Sequence, residues 1–356
     1  MSKAKNAAVA TFTPQKPYTP VDSDFVLKKD AAIEVDRNFA SQSVWKDITT
    51  RFRRKKSAVV GLVIVLFIIL MAIIGPHMNG YDYSTQDLKN KNLAPRVPGI
   101  EKMGILDGSE TMTTSTGSNK VNLYEEEDLD DTYYWFGSDR YGRDIWTRTW
   151  QGARVSLIIA VAATIIDMVI GMSYGLISGY FGGRVDMIMQ RILEVMNGIP
   201  RLVIVTLLLL ILTPGMITII FALMLTEWGG MSRIARAEML KLKEQEFVLA
   251  SKTLGARPFH IIFAEILPNI IGPIITQVMF SIPTAIFTEA FLSFVGLGIP
   301  VPQCSLGSLI SDGYNSFTTH PYQIIAPIVV MALLMLSFNL IGDGLREALD
   351  PKMKEM

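Results

Sequence analysis

The chain has 356 residues, of which 50% are hydrophobic and only 19% are charged, and its mean hydropathy is +0.34. This composition is too apolar for most soluble chains of this length and indicates a membrane protein. The 33 basic and 33 acidic side chains cancel, and a net charge of zero argues against nucleic-acid binding.

The chain begins with a predicted cytosolic tail and a first transmembrane helix. Residues 1–50 combine prolines with mixed charge and few aromatic side chains, which is typical of a largely disordered segment. Residues 51–75 supply a basic flank and a span, since five Arg and Lys residues directly precede the 18-residue run Ala58–Gly75, which has no polar side chain. That run is long enough to cross a bilayer, and the basic flank predicts a cytoplasmic N-terminus.

Residues 76–153 are predicted to form an extracytoplasmic segment between the first and second helices. Its polar part, 79–151, holds 13 acidic and 8 basic residues, a balance that the positive-inside rule permits outside the cell. The acidic run 125–131 is interpreted as a solvated surface, because it lacks the alternating ligands and the central glycine of a calcium loop. Docking to an extracellular binding protein is the alternative interpretation of this run.

A five-helix core is predicted over residues 154–345, followed by a cytosolic tail at 346–356. Its first helix, 155–179, has a glycine at every fourth position over its second half, which places a row of glycines on one face. In lipid, such a row lets two helix backbones approach closely. We therefore expect this helix to pack against protein through Gly171, Gly175, Gly179 and Gly183.

Residues 199–226 determine how many spans the core has. Two short apolar stretches flank the turn 213–215, and they form either one span or a hairpin of two helices. The N-terminal flank, the loop around 233–257 and the C-terminus are all basic and must share the cytoplasmic side, which requires an even number of crossings between each pair. This parity favours the hairpin and six spans, with breaks or kinks at Pro200 and near Gly229. The last two spans are predicted over 270–292 and 324–341.

Four ionisable residues are predicted to lie at membrane depth, where a charged group usually faces the bundle interior or a cavity. Each is a candidate pore or gating residue, and interhelical pairing is the structural alternative. We favour pairing over substrate contact for two of them, Arg201 and Glu227, whereas the two interpretations weigh equally for Asp167. The four residues are Asp167, Arg201, Glu227 and Glu289.

The cytoplasmic loop 233–269 is the most informative segment of the chain. Residues 246–254 can form a short helix whose positions i, i+3, i+4 and i+7 share one face. Gly255 can adopt a positive φ just past the helix end, and Pro258 stops the helix. A short helix with a small-residue face, followed by a glycine hinge, is suited to docking into a groove of another protein. The residues of that face are Phe247, Ala250, Ser251 and Leu254.

This loop resembles the coupling loop of bacterial ABC importer permeases, whose pattern is Glu-Ala-Ala, three residues, Gly, about nine residues and Leu-Pro. Leu249 and Ser251 replace the Glu and the second Ala of that pattern, although Glu246 lies one turn earlier. The resemblance implies an ATPase-coupling helix made of Glu246, Phe247, Leu249, Ala250, Ser251, Leu254 and Gly255, with Leu267 and Pro268 completing the loop. Four further segments resemble the C-type membrane subunit of dipeptide and oligopeptide permeases: 136–157, 178–186, 291–313 and 342–352.

The resemblance implies an all-α membrane protein with six transmembrane helices and the type I ABC importer permease fold. Its implied function is that of the pore-forming subunit of an ATP-driven oligopeptide importer in a bacterial cell membrane, with both termini cytoplasmic. The implied partners are a homologous permease subunit, two ATP-binding subunits and an extracellular substrate-binding protein. Dipeptides, nickel or glutathione are alternative substrates. An ion-coupled secondary transporter is the alternative from another class, and the coupling loop argues against it.

The sequence gives little support for catalysis by this chain. It has no P-loop pattern, so we expect ATP and magnesium to be bound by partner subunits and no cofactor to be bound here. The three histidines, His77, His260 and His320, lack the spacing of a metal site. No serine lies in a G-x-S-x-G turn with a partnering His and Asp.

Overall fold

The computed structural model describes residues 44–114, 117–127, 129 and 131–349, so most of the predicted N-terminal tail and of the C-terminal tail lie outside the described residues. In this part of the chain the architecture is helical apart from one antiparallel hairpin, made of strands β1 (Ser109–Thr114) and β2 (Gly117–Asn122). The helices are α1 (Val44–Arg54), α2 (Lys56–Ile74), α3 (Leu123–Glu126), α4 (Ile145–Phe181), α5 (Gly183–Gly198), α6 (Arg201–Ile211), α7 (Met216–Thr226), α8 (Gly229–Leu242), α9 (Glu246–Thr253), α10 (Pro258–His260), α11 (Leu267–Leu292), α12 (Leu306–Asn315) and α13 (Tyr322–Leu349).

Among the described residues, five helical segments are long and apolar enough to cross a membrane, and a bent pair of helices supplies a sixth candidate. The bent pair is α5 and α6, whose axes differ in direction by 81°. The bend lies at Pro200, as predicted, because proline disfavours the helical conformation of the residue before it, and Ile199 is extended at φ −87° and ψ 125°. The five segments are Lys56–His77, Ile145–Phe181, Met216–Leu242, Pro258–Leu297 and Tyr322–Leu349.

The predicted hairpin at residues 199–226 is present. Helices α6 and α7 pack against each other and are joined by a short turn, in which the Thr218 hydroxyl donates to the Thr213 carbonyl at 2.6 Å. The predicted break near Gly229 falls at Glu227 and Trp228, between α7 and α8. The two helices nevertheless continue as one candidate span. The other arm of the hairpin, α6, belongs to the bent pair, and six crossings result when that pair is counted as one span.

Helix α4 begins ten residues earlier than the sequence predicts for the second span. The Asp144 carboxylate caps it by accepting a hydrogen bond from the Thr147 backbone N–H at 2.7 Å. The first three turns of α4 therefore contain Arg148, a polar residue that the hydropathy pattern assigned to the external segment. Its guanidinium is buried and lies 3.3 Å from the Asp139 carboxylate and 3.6 Å from that of Asp312.

The glycine row on α4 packs directly against α8. A Cβ added to Gly171 would lie 2.5 Å from the Trp228 carbonyl oxygen, and one added to Gly175 would lie 2.2 Å from that of Ser232. Because no side chain fits there, the two backbones are in contact, as expected. The predicted row is wrong at its last member: Gly183 lies beyond the end of α4, begins α5 with a φ of +52°, and faces open space. The chain reverses at residue 182, so the four-residue repeat cannot continue along the same face. Gly179, the third member, packs against Met239 of α8.

The segment predicted to be external contains the β-hairpin, the short helix α3 and loops. Within it, hydrogen bonds from Ser109 and Lys120 lower the pKa of Asp107 to about 2, because both stabilise the charged carboxylate. The hairpin is connected to the helical core by His320, whose Nδ1 lies 2.8 Å from a carboxylate oxygen of Glu110. This segment is therefore attached to the loop between α12 and α13.

Candidate functional site

Helix α9 is anchored to the rest of the chain by one face only. Val248 is fully buried in a cluster of apolar side chains from α8, α11 and the π-helical turn Ile261–Ile266. Next to it, the Lys252 ammonium lies 5.2 Å from the centre of the Tyr180 ring. Both side chains of this face are thus used in contacts within the chain, which leaves the opposite face of α9 available to a partner.

The opposite face of α9 carries the side chains predicted to dock. Phe247 is 42% exposed and Leu254 is 88% exposed, values that are high for large apolar residues. Ala250 is also exposed, whereas Ser251 is only half-buried at the edge of this face. The structure therefore places the predicted face outward, with an apolar residue at each end and a small residue in the middle.

The end of α9 has the backbone geometry predicted for Gly255. Its φ is +83°, its N–H donates to the Lys252 carbonyl at 3.0 Å, and the N–H of Ala256 donates to the Ser251 carbonyl at 3.0 Å. These two bonds form a Schellman motif, which needs a left-handed residue at the position of Gly255. A Cβ added there would meet no atom within 4 Å, so the requirement is conformational and not steric.

The other residues of the predicted coupling loop do not all share this surface. Glu246 and Leu249 are exposed on α9, Leu249 by half of its side-chain area. Leu267 and Pro268 begin α11, where Leu267 packs against the apolar cluster that also buries Val248. The Leu-Pro pair therefore lies behind α9, on the same cluster that anchors it.

Three of the four ionisable residues predicted at membrane depth line one cavity of about 210 Å³. An Arg201 guanidinium nitrogen lies 2.7 Å from a Glu227 carboxylate oxygen, so these two residues form the interhelical pair that we favoured. Asp167 lies on α4, and its Oδ2 accepts a hydrogen bond from the Ser281 hydroxyl at 3.1 Å. The cavity is bounded by α4, α8, α11 and the ends of α5, α6 and α7.

Glu289 is separate from this cavity. Its carboxylate is fully buried and accepts hydrogen bonds from the hydroxyls of Ser156, at 2.9 Å, and Ser293, at 2.7 Å. Ser156 in turn accepts a hydrogen bond from the backbone N–H of Leu306 at 3.1 Å. Glu289 thus joins α4, α11 and the start of α12, and the structure gives it contacts within the fold and none with the cavity.

Sequence reasoning missed the neutral polar residues of the cavity and the buried ion cluster at the other end of α4. The cavity also contains Thr164, which lies one turn before Asp167, so helical spacing from an intramembrane acid was an available signal for it. The sequence indicated the ion cluster more weakly, because its two buried arginines lie in a stretch whose composition is typical of a polar loop. Its members are Asp139, Arg143, Arg148 and Asp312.

Two family models match this chain. Residues 171–355 match the binding-protein-dependent transport system inner membrane component. Residues 43–95 match the N-terminal transmembrane domain of oligopeptide transport permease C. The two matches cover the first span, α9 and every described helix that lines the cavity except the part of α4 that carries Thr164 and Asp167.

The similarity to known relatives covers most of the length of the chain. It is 44% identical over 315 residues to the oligopeptide transport system permease protein OppC of Bacillus subtilis, covering 88% of this chain and 92% of the relative. It is 41% identical over 335 residues to the dipeptide transport system permease protein DppC of the same organism, covering 94% of each. Among solved structures, an inward-facing form of the MetNI methionine ABC transporter matches with a TM-score of 0.49 and 17% identity, covering 57% of this chain and 96% of that chain.

Proposed function

The chain belongs to the family of binding-protein-dependent transport system inner membrane components, and on that premise we propose that it conducts oligopeptides into a bacterial cell. The family predicted from the sequence is confirmed, and with it the pore-forming role of the subunit in an ABC importer. The all-α fold with five spans and a bent pair agrees with that role. An oligopeptide substrate is supported by the match of residues 43–95 to the oligopeptide permease domain and by the identity to the Bacillus subtilis relative.

The proposed partners are two ATP-binding subunits, a homologous permease subunit and an external binding protein. The observation that carries this proposal is the geometry of α9, which exposes Phe247 and Leu254 while Val248 anchors it to α8 and α11. A helix held in this way can receive a push from a partner and transmit it to the spans behind it. ATP and magnesium are proposed to be bound by those partners, and no catalytic role is proposed for this chain.

The proposed topology places both termini in the cytoplasm and residues 79–151 outside. The Lys55 ammonium lies 2.6 Å from a carboxylate oxygen of Glu347, so the start of the first span and the end of the last span lie at the same end of the bundle. An even number of crossings between them follows. The basic residues around Lys55 favour the cytoplasmic side for that end.

The test is peptide uptake by the whole transporter, expressed in cells that lack other peptide importers. Labelled alanine peptides of two to six residues are offered with and without an ionophore that collapses ion gradients. We expect ATP-dependent uptake of peptides longer than two residues that survives the ionophore. Uptake abolished by the ionophore at normal ATP would mean ion-coupled transport, and uptake limited to two residues would make the substrate a dipeptide.

A further inference from the structure

The cavity contains an acidic group whose second oxygen has no protein partner. Asp167 is 4% exposed, and its Oδ2 accepts from Ser281, but its Oδ1 makes no hydrogen bond within the described part of the chain. Thr164 is 3% exposed and lies one turn earlier on α4; its hydroxyl likewise has no partner among the described residues. Both residues line the cavity, so two unpartnered polar atoms lie on the same wall.

A buried carboxylate is costly unless it is paired with a cation or fully hydrogen-bonded. The cations of the cavity do not provide this for Asp167, because the Arg201 guanidinium is already paired with Glu227. Arg233 lines the cavity as well, but neither it nor Asp167 belongs to an ion pair within the described ranges. The site therefore presents a negative charge and a hydroxyl, and it lacks a positive hydrogen-bond donor.

We propose that Asp167 Oδ1 and Thr164 Oγ1 form a subsite for the α-ammonium group of the transported peptide. An ammonium group carries one positive charge and three N–H donors, so it can bind the carboxylate and the hydroxyl together. Every peptide with a free N-terminus has this group whatever its side chains are, so a subsite for it suits a permease that accepts many sequences. This inference rests on the proposed peptide transport.

The first measurement tests for attraction of a cation at this wall. In the assembled transporter, Thr164→Cys introduces a thiol next to Asp167. The rate at which this thiol reacts is measured with two methanethiosulfonates: the 2-aminoethyl reagent, which is cationic, and the 2-hydroxyethyl reagent, which is neutral. Cys304 is fully buried, so the wild-type transporter gives the background labelling. We expect the ratio of the cationic to the neutral reaction rate to be about ten times the same ratio measured with a free thiol in solution.

The second change shows whether Asp167 is the source of that preference. Adding Asp167→Asn should return the rate ratio to the solution value, because the carbonyl oxygen and shape remain while the charge is lost. Asp343→Asn, the same change at an exposed position of α13 outside the cavity, should leave the ratio unchanged. A solution-like ratio in the Thr164→Cys transporter would overturn the proposal, even if the double variant failed to assemble.

Protection by peptide identifies the ligand. We expect tetra-alanine to slow the labelling by the cationic reagent at least fivefold, and N-acetyl-tetra-alanine, which lacks the ammonium group, to have no effect at the same concentration. Equal protection by both peptides, or protection by neither, would overturn the assignment to the ammonium group. If the wild-type transporter takes up no peptide at all, the proposed function fails. If it takes up peptide but the Thr164→Cys transporter shows no cation preference, only the subsite fails.

Discussion

Replacement of Gly255 by valine should impair transport through the backbone alone. The residue has a φ of +83°, and a β-branched residue in that region costs on the order of 1–2 kcal/mol. The added side chain meets no atom within 4 Å, so no steric cost is added to the conformational one. If this cost shifts the end of α9 away from the Schellman geometry, the fraction of molecules with α9 in the docking conformation falls about 5- to 30-fold. The apparent affinity for the ATP-binding subunits falls by the same factor.

The assay is peptide uptake together with co-purification of the ATP-binding subunits, both normalised to the amount of Gly255→Val protein in the membrane. The matched control is Gly255→Asn, because asparagine adopts the left-handed conformation at low cost and should retain most of the activity. Normal uptake by the valine variant at wild-type abundance would refute the role of Gly255 in orienting α9. Equal loss in both variants would show that the glycine is needed for access by a partner and not for its φ.

Three further predictions concern docking, topology and the buried acid. Ala250→Trp should overpack the docking face at a cost of about 1–3 kcal/mol and reduce co-purification of the ATP-binding subunits; full retention would mean that α9 does not dock through this face. Glu125→Cys should react with an impermeant thiol reagent added outside intact cells, and labelling only from the cytoplasmic side would reverse the topology. Glu289→Leu should lower the thermal stability of the purified subunit more than Glu289→Gln does, because leucine leaves the hydroxyls of Ser156 and Ser293 without their acceptor, at roughly 1–3 kcal/mol each. Equal melting temperatures would show that the carboxylate is not a structural acceptor.

The sequence predicted those features that are encoded locally. The end of α9 depends on Gly255, and the bend between α5 and α6 depends on Pro200, so each was readable from one residue and its neighbours. The close packing of α4 against protein was readable from a four-residue glycine repeat, but its partner α8 was not. These predictions succeeded because the conformational restriction of glycine and proline does not depend on the rest of the fold.

Features that depend on distant contacts were not predictable in this way. The start of α4 was placed too late because Arg148 reads as a loop residue, and only the fold shows that Asp312, 164 positions later, lies 3.6 Å from its guanidinium. Hydropathy similarly gives the depth of an acid in the membrane but not the side of the helix that it faces. It therefore could not show that Asp167 lines the cavity while Glu289 is enclosed by serines.

Helix α8 connects the proposed docking surface on α9 to the cavity. Its 14 residues span about 21 Å, with Met239 packed in the same cluster as Val248 of α9 and Arg233 lining the cavity at the other end. Because an apolar cluster of this kind is close-packed, α9 cannot move far without displacing α8. Helix α8 also contacts α4, where the two backbones meet at Gly171 and Gly175 and where Leu176 of α4 belongs to the same apolar cluster. A displacement that begins at α9 is therefore expected to reach the cavity wall through α8 and the α4 helix packed against it.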